Sequence, residues 1–577
     1  MATSAQSDGF SFSAYWGDGA LLLAFDLDEA RQKDLAGFAV EYTDPDGHTF
    51  PVLNRLNFAQ ALTSATTPEQ RQFTPTSEAP LQKFHWVHFP PDVKPGTFTY
   101  KATAMLFQTG SETALTPGPS AEVEVTLVPP GPTPFQLGFT RGYVSSQAYA
   151  EEFHNAALEP SPPTFDFETA QYERQYRWLG FHARRLVFDF LQETIADETR
   201  SLDVFAYDLD EPDAIRQLGQ LGSRLRLYLD DSATHVGAGA LEPLAHTWLA
   251  AQGAQVKVGH FQRFSHDKVM IQKRGDTALK VLSGSANFSV RGLYVQSNNI
   301  FVFDDPATAA LYELAFEQSW DDPKGFGSSE LAAGWHDAGG HDGLPSYSVC
   351  FSPHHDPDVS LQRVADAVTA AKSSVLFAIM EIGTGGGQLL DAIKALPDRQ
   401  ELYAFGTTQR LDGDLRVEKS GDPGCFIPFS YLSQHVPAPF KQEWSGGAGQ
   451  VIHHKFVVTD FNGDNPLAFG GSSNLAKGGE KQNGDNLVCF ADRDIATRYA
   501  IEAIKLVDHY RFRAVLENAT DDKPLQLAGR SADWAAPYYE AGSPKSRERT
   551  VLVAGTPAEA AATRRRRGNA SPRVSRA

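Results

Sequence analysis

The 577-residue sequence lacks several features that mark familiar classes of protein. It has three cysteines, Cys350, Cys425 and Cys489, whose odd number and wide spacing fit neither a disulfide framework nor a zinc site. It has no run of eighteen apolar residues, which excludes a conventional transmembrane helix. Its start, MATSAQSDGFSFSAYW, lacks the basic and apolar segments of a signal peptide. We therefore expect a cytoplasmic protein by default, or one exported by a route that needs no such signal.

Positive charge is also scarce. The chain has 51 lysines and arginines against 71 aspartates and glutamates, which gives a net charge of −20. Six of the arginines lie in the last 14 residues, so the rest of the chain is more acidic still. Such a body repels polyanions at long range, and nucleic acid is the less favoured partner. The arginine-rich end, residues 540–577, is predicted to be a disordered tail.

The N-terminal part has the pattern of an all-β domain. Residues 8–128 contain short apolar or alternating runs separated by turn sequences such as Asp44-Pro45-Asp46-Gly47. This spacing predicts a β-sandwich. The segment GTFTYKATAMLF resembles the late strands of a fibronectin type III or immunoglobulin-like domain. The proline-rich stretch 129–134, PPGPTP, is predicted to be a stiff linker.

Beyond the linker, apolar strands alternate with amphipathic helices, which predicts an α/β fold with a largely parallel or mixed sheet. The pattern occurs twice, over residues 135–325 and again over residues 345–520. Between Thr407 and Gln450 lies a long segment rich in glycine, proline and aromatic residues. Because a loop of this length in a compact domain is usually functional, we expect it to line a substrate cleft.

The most informative segment is Val451–Asn486, which begins VIHHKFVVTD. It contains His453-x-Lys455-x4-Asp460, then Gly-Gly-Ser-Ser-Asn ending at Asn474, then Asp485. The first ten residues are predicted to form a strand, which would project His453 and Lys455 from one face. An ammonium group that binds phosphoryl oxygens, beside an imidazole that attacks or protonates, suits chemistry on a phosphate.

The same pattern occurs earlier in the chain, which reveals an internal duplication. The first copy has His266-x-Lys268 followed by Gly-Ser-Ala-Asn ending at Asn287. Asn287 and Asn474 each lie 21 residues after the histidine of their own copy. Asn298 and Asp485 each lie 32 residues after it.

HxKxxxxD followed by GSxN, present twice in one chain, resembles the phospholipase D superfamily over roughly residues 135–520. The resemblance implies two pseudo-symmetric α-β-α halves packed together, with both half-sites in one monomeric chain. It also implies metal-independent chemistry that needs no cofactor. One position departs from the pattern, because Lys273 stands where the first copy should have aspartate.

The resemblance assigns two sets of candidate site residues. The catalytic candidates are His266, Lys268, His453, Lys455, Asp460, Asn287, Asn474 and Asp485. The substrate-binding candidates are Ser285, Ser472 and Asn298.

The two halves are not equivalent in the roles that the resemblance implies. One histidine would form a phosphohistidine while the other protonates the leaving oxygen. In the family the supporting acid commonly comes from the opposite half, so Asp485 would support His266. We therefore expect His266 to be the nucleophile and His453 the general acid.

Three functions remain open at this point. The first is a phosphodiester hydrolase acting on phospholipids, with peripheral membrane contact. The second is a nuclease of the same superfamily, for which the motifs offer few neighbouring basic residues beyond Arg263, Lys273 and Arg274. The third is a non-catalytic scaffold in which the first motif has decayed, as Lys273 would suggest.

Overall fold

The computed structural model describes residues 2–67, 70–91, 93–126, 133–381, 386–410, 426–428 and 452–554. Most of the predicted linker 129–134, most of the segment 407–450 and the terminal arginines therefore lie outside the described residues. None of the helices in these ranges has the length and apolarity needed to cross a bilayer.

The N-terminal region is all-β, as predicted. Two four-stranded sheets, in the orders β1-β2-β3-β8 and β10-β9-β4-β5, share one hydrophobic core. The finer resemblance to fibronectin type III stays a prediction. The strands are β1 (Ala2–Ser7), β2 (Phe10–Trp16), β3 (Leu21–Leu27), β4 (Leu35–Thr43), β5 (Thr49–Pro51), β6 (Leu53–Asn54), β7 (Thr74–Pro75), β8 (His85–His88), β9 (Thr97–Phe107) and β10 (Leu115–Thr126).

The first half that follows is built on a seven-stranded sheet, in the order β11-β18-β17-β16-β12-β13-β14. Its elements are β11 (Phe135–Phe139), α1 (Ser146–Phe153), α2 (Glu173–Ala196), β12 (Arg200–Ala206), α3 (Pro212–Gln220), β13 (Leu225–Asp230), α4 (Ala233–Val236), α5 (Glu242–Ala251), β14 (Gln255–Gly259), β15 (Phe264–Ser265), β16 (Val269–Arg274), β17 (Thr277–Gly284), β18 (Asn299–Phe303) and α6 (Pro306–Asp321).

The second half is built on a sheet in the order β19-β20-β26-β25-β24-β21-β22-β23. Its elements are β19 (Trp335–Gly339), β20 (Ser346–Ser352), α7 (Asp358–Ala370), β21 (Ser374–Glu381), α8 (Gln388–Lys394), β22 (Tyr403–Arg410), β23 (Phe426–Pro428), β24 (Lys455–Thr459), β25 (Leu467–Gly471), α9 (Lys477–Gln482), β26 (Asn483–Phe490) and α10 (Arg493–Glu517).

The two sheets have the same topology once β19 is set aside. From β11 and from β20 onward, the first four neighbouring pairs in each sheet are antiparallel and the last two are parallel. The predicted α/β class with two pseudo-symmetric halves after an all-β domain is therefore confirmed. The mixed pairing follows from the connections, because a tight turn joins antiparallel strands and a helical crossover joins parallel ones.

Local sequence fixes the starts of the main helices. Asp305 and Asp492 cap α6 and α10, each accepting a hydrogen bond from the backbone N–H three residues further on. Glu211 does the same for α3, with Pro212 at the first helical position. These side chains satisfy N–H groups that have no partner within the helix, and proline is well tolerated at that position.

Backbone pairing joins the halves beside the two motifs. The short strand β15 runs parallel to β26, so that Ser265 pairs with Gly484. In the pseudo-symmetric position, Ser297 forms a parallel bridge with Ile452. One hydrophobic core also extends across both halves, so the halves are packed as one unit.

The expectation of a disordered tail from residue 540 is wrong for residues 540–554. Pro544–Ala554 form a helix, α11, which packs against β3 and β22. Val551 and Leu552 are fully buried, and the buried Arg549 side chain forms an ion pair with Asp26. The composition of this segment, which is poor in apolar residues, hid a helix that is held by a few buried contacts rather than by a periodic apolar face.

Candidate active site

The two His-x-Lys segments lie where the halves meet. Both histidines precede the strands of their motifs, since β16 begins at Val269 and β24 begins at Lys455. The backbone N–H of His266 donates to Gly484 O at 2.9 Å, which continues the β15–β26 pairing. Each histidine is therefore placed by the backbone of the opposite half, which the prediction of a continuous strand through VIHHKFVVTD did not anticipate.

Each histidine is hydrogen-bonded to a residue of the other copy, the one that lies 32 positions after that copy's own histidine. His266 Nδ1 lies 2.7 Å from Asp485 Oδ1, and His453 Nδ1 lies 2.9 Å from Asn298 Oδ1. An amide oxygen only accepts hydrogen bonds, so His453 must carry its proton on Nδ1. An ionised Asp485 imposes the same tautomer on His266. The arrangement leaves Nε2 of both rings with an available lone pair.

The side chain of each motif lysine folds back onto the His-x-Lys segment that carries it. Lys268 Nζ donates to the backbone carbonyl of His266, and Lys455 Nζ donates to that of His453 at 2.6 Å. Lys268 Nζ also lies 4.8 Å from the centre of the Tyr207 ring, a cation–π distance. The structure therefore brings together four predicted catalytic side chains and sets two ammonium groups beside two imidazoles.

Burial dominates the electrostatics of this cluster. It lowers the pKa of both His266 and His453 well below the ordinary value, and the nearby Lys268 and Lys455 charges lower both further. Burial raises the pKa of Asp485 to about 7 and lowers that of Lys268 to about 8. The cluster thus holds neutral imidazoles beside two lysine side chains, which is a favourable environment for an anion.

The GSxN asparagines differ between the halves. Asn287 is buried, and its Nδ2 donates to Asp208. Its Oδ1 has no hydrogen-bond partner within the described part of the chain. Asn474 is half-buried, and its Oδ1 likewise lacks a partner among the described residues.

The three candidates for substrate binding are already engaged within the protein. Ser285 Oγ donates to Asn298 Oδ1 at 2.8 Å, and Asn298 Nδ2 donates to Gly292 O at 2.9 Å. Ser472 Oγ accepts from the backbone N–H of Asn486 at 2.9 Å. Both polar ends of the Asn298 amide are occupied, so its contacts are those of a group that orients His453 rather than one that holds substrate.

Asp460 is the predicted site residue that the structure does not bring to the cluster. It follows β24, about 16 Å along the strand from Lys455 at the usual rise per residue. Its carboxylate accepts hydrogen bonds from the backbone N–H groups of Lys372, Ser373 and Ser374. Its contacts therefore fix the loop before β21 and do not reach the candidate site.

Lys273, at the matching position of the first half, is equally remote. It forms ion pairs with Glu313 and with Asp203, the latter at 3.2 Å, and Arg226 reaches the same carboxylates. Its ammonium neutralises a buried acidic cluster that no part of the sequence pattern indicates.

Several residues close to the cluster were missed from sequence. Tyr207 places its ring against His266 and against His235, at centroid distances of 4.7 and 4.4 Å. Asp267 accepts from Asn486 Nδ2 at 2.8 Å, and burial raises its pKa to about 7. The available signal was the position of Tyr207 and Asp208 just after β12.

Residues 191–320 match the sequence model of a family described as cardiolipin synthase, PLD-like domain. This segment of the chain is therefore similar to a phospholipase D-like domain. The match includes the first motif of that domain and ends before the second half, so it covers less than half of the chain. No curated protein matches the chain in sequence.

The solved structures to which the chain is similar include one described as a phospholipase D family member. Nuc from Salmonella typhimurium, a phospholipase D family member, is 18% identical; the likeness covers 32% of this chain and 93% of that one, with a TM-score of 0.21. NucT from Helicobacter pylori is 16% identical over 24% and 91%, with a TM-score of 0.21. Yeast tyrosyl-DNA phosphodiesterase is 10% identical over 53% and 86%, with a TM-score of 0.30. These values carry no weight for substrate or mechanism.

Proposed function

We propose that this protein is a phosphodiesterase of the phospholipase D type that works through a phosphohistidine and acts on phospholipids. One observation supports it above all. The two His-x-Lys pairs lie together at the junction of the halves, and each histidine is oriented by the opposite copy. A decayed scaffold has no reason to keep both orienting hydrogen bonds and two buried lysines, because burying a charged group is costly.

In the first step, His266 Nε2 attacks phosphorus and the bond to the leaving oxygen breaks. His266 is the better nucleophile because Asp485 stabilises the positive charge that develops on its ring as the P–N bond forms. His453 gives a proton to the leaving oxygen. Asn298 offers His453 an oriented amide but no charge, which suits a ring that must release its proton readily.

The lowered pKa of His453 does not oppose this role. The bound diester adds a negative charge beside the ring, and an adjacent anion favours the protonated form. In the second step, His453 takes a proton from water, whose oxygen attacks phosphorus. The P–N bond breaks, and His266 returns to its neutral form.

The two lysines would hold the non-bridging oxygens. Lys268 and Lys455 are both nearly fully buried, where a fixed charge stabilises the transition state more strongly than in water. Asn287 and Asn474 would add amide N–H donors. These side chains supply the positive charge that the reaction needs, so no step of the proposal passes through a metal.

The charge distribution supports phospholipid over nucleic acid. Of the three basic residues that the sequence offers beside the motifs, Lys273 and Arg274 are paired with carboxylates. Arg263 donates to Asn483 and stacks on Phe264. A nuclease needs several free cations along the path of the strand, since backbone phosphates dominate affinity.

The test is a comparison of turnover on phosphatidylcholine vesicles and on single- and double-stranded DNA. The wild type and His453→Ala would be assayed in parallel. Choline release that disappears in the variant supports the proposal. DNA cleavage without choline release would replace phospholipid by nucleic acid as the substrate, and no turnover of either with wild type and variant alike would favour the scaffold.

A further inference from the structure

A further histidine, His235, lies between two carboxylates beside the candidate site. His235 is almost fully buried on α4. Its Nδ1 lies 2.8 Å from Asp230 Oδ1, and its Nε2 lies 2.7 Å from Asp208 Oδ1. With an acceptor on each nitrogen, the ring satisfies both contacts only when both nitrogens carry protons.

Both carboxylates continue into the site described above. The second oxygen of Asp208 accepts from Asn287 Nδ2, and the second oxygen of Asp230 accepts from the backbone N–H of Ser265 at 2.6 Å. Ser265 precedes the candidate nucleophile, and Asn287 is the GSxN asparagine of the same half. One imidazole is therefore linked to two elements of the site through two carboxylates.

We propose that His235 is a positioning residue which, through Asp208, holds the Asn287 amide with its second N–H facing the phosphate position. This rests on the proposed function, because Asn287 acts there as a donor to the substrate. An ionised Asp208 accepts only, so it fixes which end of the amide is Nδ2. One N–H is used by Asp208 and the other is left for a phosphoryl oxygen.

The charges around His235 agree with this role. Burial alone would lower the pKa of His235, but its hydrogen bonds with Asp208 and Asp230 raise it to about 10. Glu242, at the start of α5, adds a further negative charge nearby. His235 in turn keeps the pKa of Asp208 below its ordinary value despite burial.

No matching relay is found among the described side chains of the second half. Glu381, the last residue of β21, occupies the position that matches Asp208, and its side chain lies outside the described residues. In the second half Asn474 is half-buried, whereas Asn287 is buried and tied to Asp208. The first half thus orients its amide through a device that the duplication does not repeat among the described side chains.

The orientation can be measured without turnover. In protein labelled with 15N at asparagine and histidine, both His235 ring nitrogens should be protonated at pH 7.5. The Asn287 side-chain signal, identified by its loss in Asn287→Ala, should shift in His235→Gln. It should not move in His260→Gln, a matched control whose histidine contacts Asp231 and is partly exposed. A neutral His235, or an Asn287 signal that ignores the His235 substitution, would overturn the proposal.

Turnover of bis(p-nitrophenyl) phosphate gives the kinetic test. His235→Gln should lower kcat by about 10- to 100-fold, the loss expected for one charge-assisted hydrogen bond, with little change in KM. In the Asn287→Ala background the same substitution should cost about twofold or less, because residues that act through one another are not additive. A full additional loss there would show that His235 supports folding rather than Asn287.

Asp208→Asn covers the case in which His235→Gln fails to fold, since it keeps the shape and removes the charge that fixes the amide. It should shift the Asn287 signal and lower kcat in the same way, and an unchanged signal would overturn the proposal. A wild type that turns over no diester would count against the proposed function, while the 15N measurement would still decide the role of His235.

Discussion

The two halves share a strand order but differ at two positions of the repeated pattern. At the position 32 residues after the motif histidine, the second half supplies Asp485 and the first supplies Asn298, and each serves the histidine of the other half. One ring therefore faces a titratable carboxylate and the other a neutral amide. Under the proposed function, this difference would separate the nucleophile from the acid while the backbone remains symmetric.

The second difference concerns Asp460 and Lys273. Asp460 fixes the backbone before β21, whereas in the first half Asp197 accepts from the backbone N–H of Thr199 just before β12. Lys273 is then free to neutralise Asp203 and Glu313. The departure from the family pattern is a different packing solution and gives no sign of decay.

The largest expected effect separates the two histidines. His266→Ala should abolish turnover by at least about 10⁴-fold and leave no phosphorylated protein, because the nucleophile is gone. His453→Ala should slow turnover yet allow phosphate to accumulate on His266 with a substrate whose leaving group needs no acid. Rapid quenching and peptide mapping would locate it. A phosphate mapped to His453 would reverse the assignment.

Asp485→Asn should come next, with turnover lowered by about 10³-fold, because a neutral amide does not stabilise the positively charged ring as the carboxylate does. It makes the two halves alike at this position. The matched change, Asn298→Asp, alters the residue beside His453, the proposed general acid. It should lower turnover much less. Equal losses in the two variants would remove the proposed distinction between the histidines.

Asp460 and Lys273 are opposite in charge, and we expect the loss of either side chain to lower the stability of the protein by a similar amount. Asp460→Ala leaves buried N–H groups without an acceptor, and Lys273→Met leaves buried carboxylates with Arg226 as their remaining cation. Each should lower the free energy of unfolding by about 3 kcal/mol in denaturant titrations. The exposed pair Arg274–Asp197 supplies the control, since Arg274→Ala should cost about 0.5 kcal/mol. If Lys273→Met left the free energy of unfolding unchanged, a non-catalytic scaffold with a decayed first motif would again have to be considered.

The smallest effect is the pH dependence, about tenfold in kcat/KM per unit on each limb. Below the pKa of Asp485, about 7, the protonated carboxyl donates to His266 Nδ1 and moves the ring proton to Nε2, which blocks attack. Above the pKa of Lys268, about 8, its charge is lost. Activity should therefore peak between these values. Asp485→Asn should lose the acid limb, and its persistence would assign that limb elsewhere.

Much of the candidate site could be predicted from the sequence, because the internal duplication repeats the same intervals between the motif residues. The intervals of 21 and 32 residues identified both half-sites, and the patterns of strands and helices predicted an all-β region followed by two α/β halves. The segment 544–554 was missed, because its helix depends on contacts with β3 and β22 that no local pattern encodes.

The sequence by itself determined the α/β class, the duplication and the residue types of the site, since these follow from local periodicity and fixed intervals. Only the tertiary structure decided which side chains meet. It paired His266 with Asp485, moved Asp460 away from the cluster and added His235 to it. Each of these contacts joins positions far apart in the chain, and their burial, which sets the pKa values, exists only once the halves have packed.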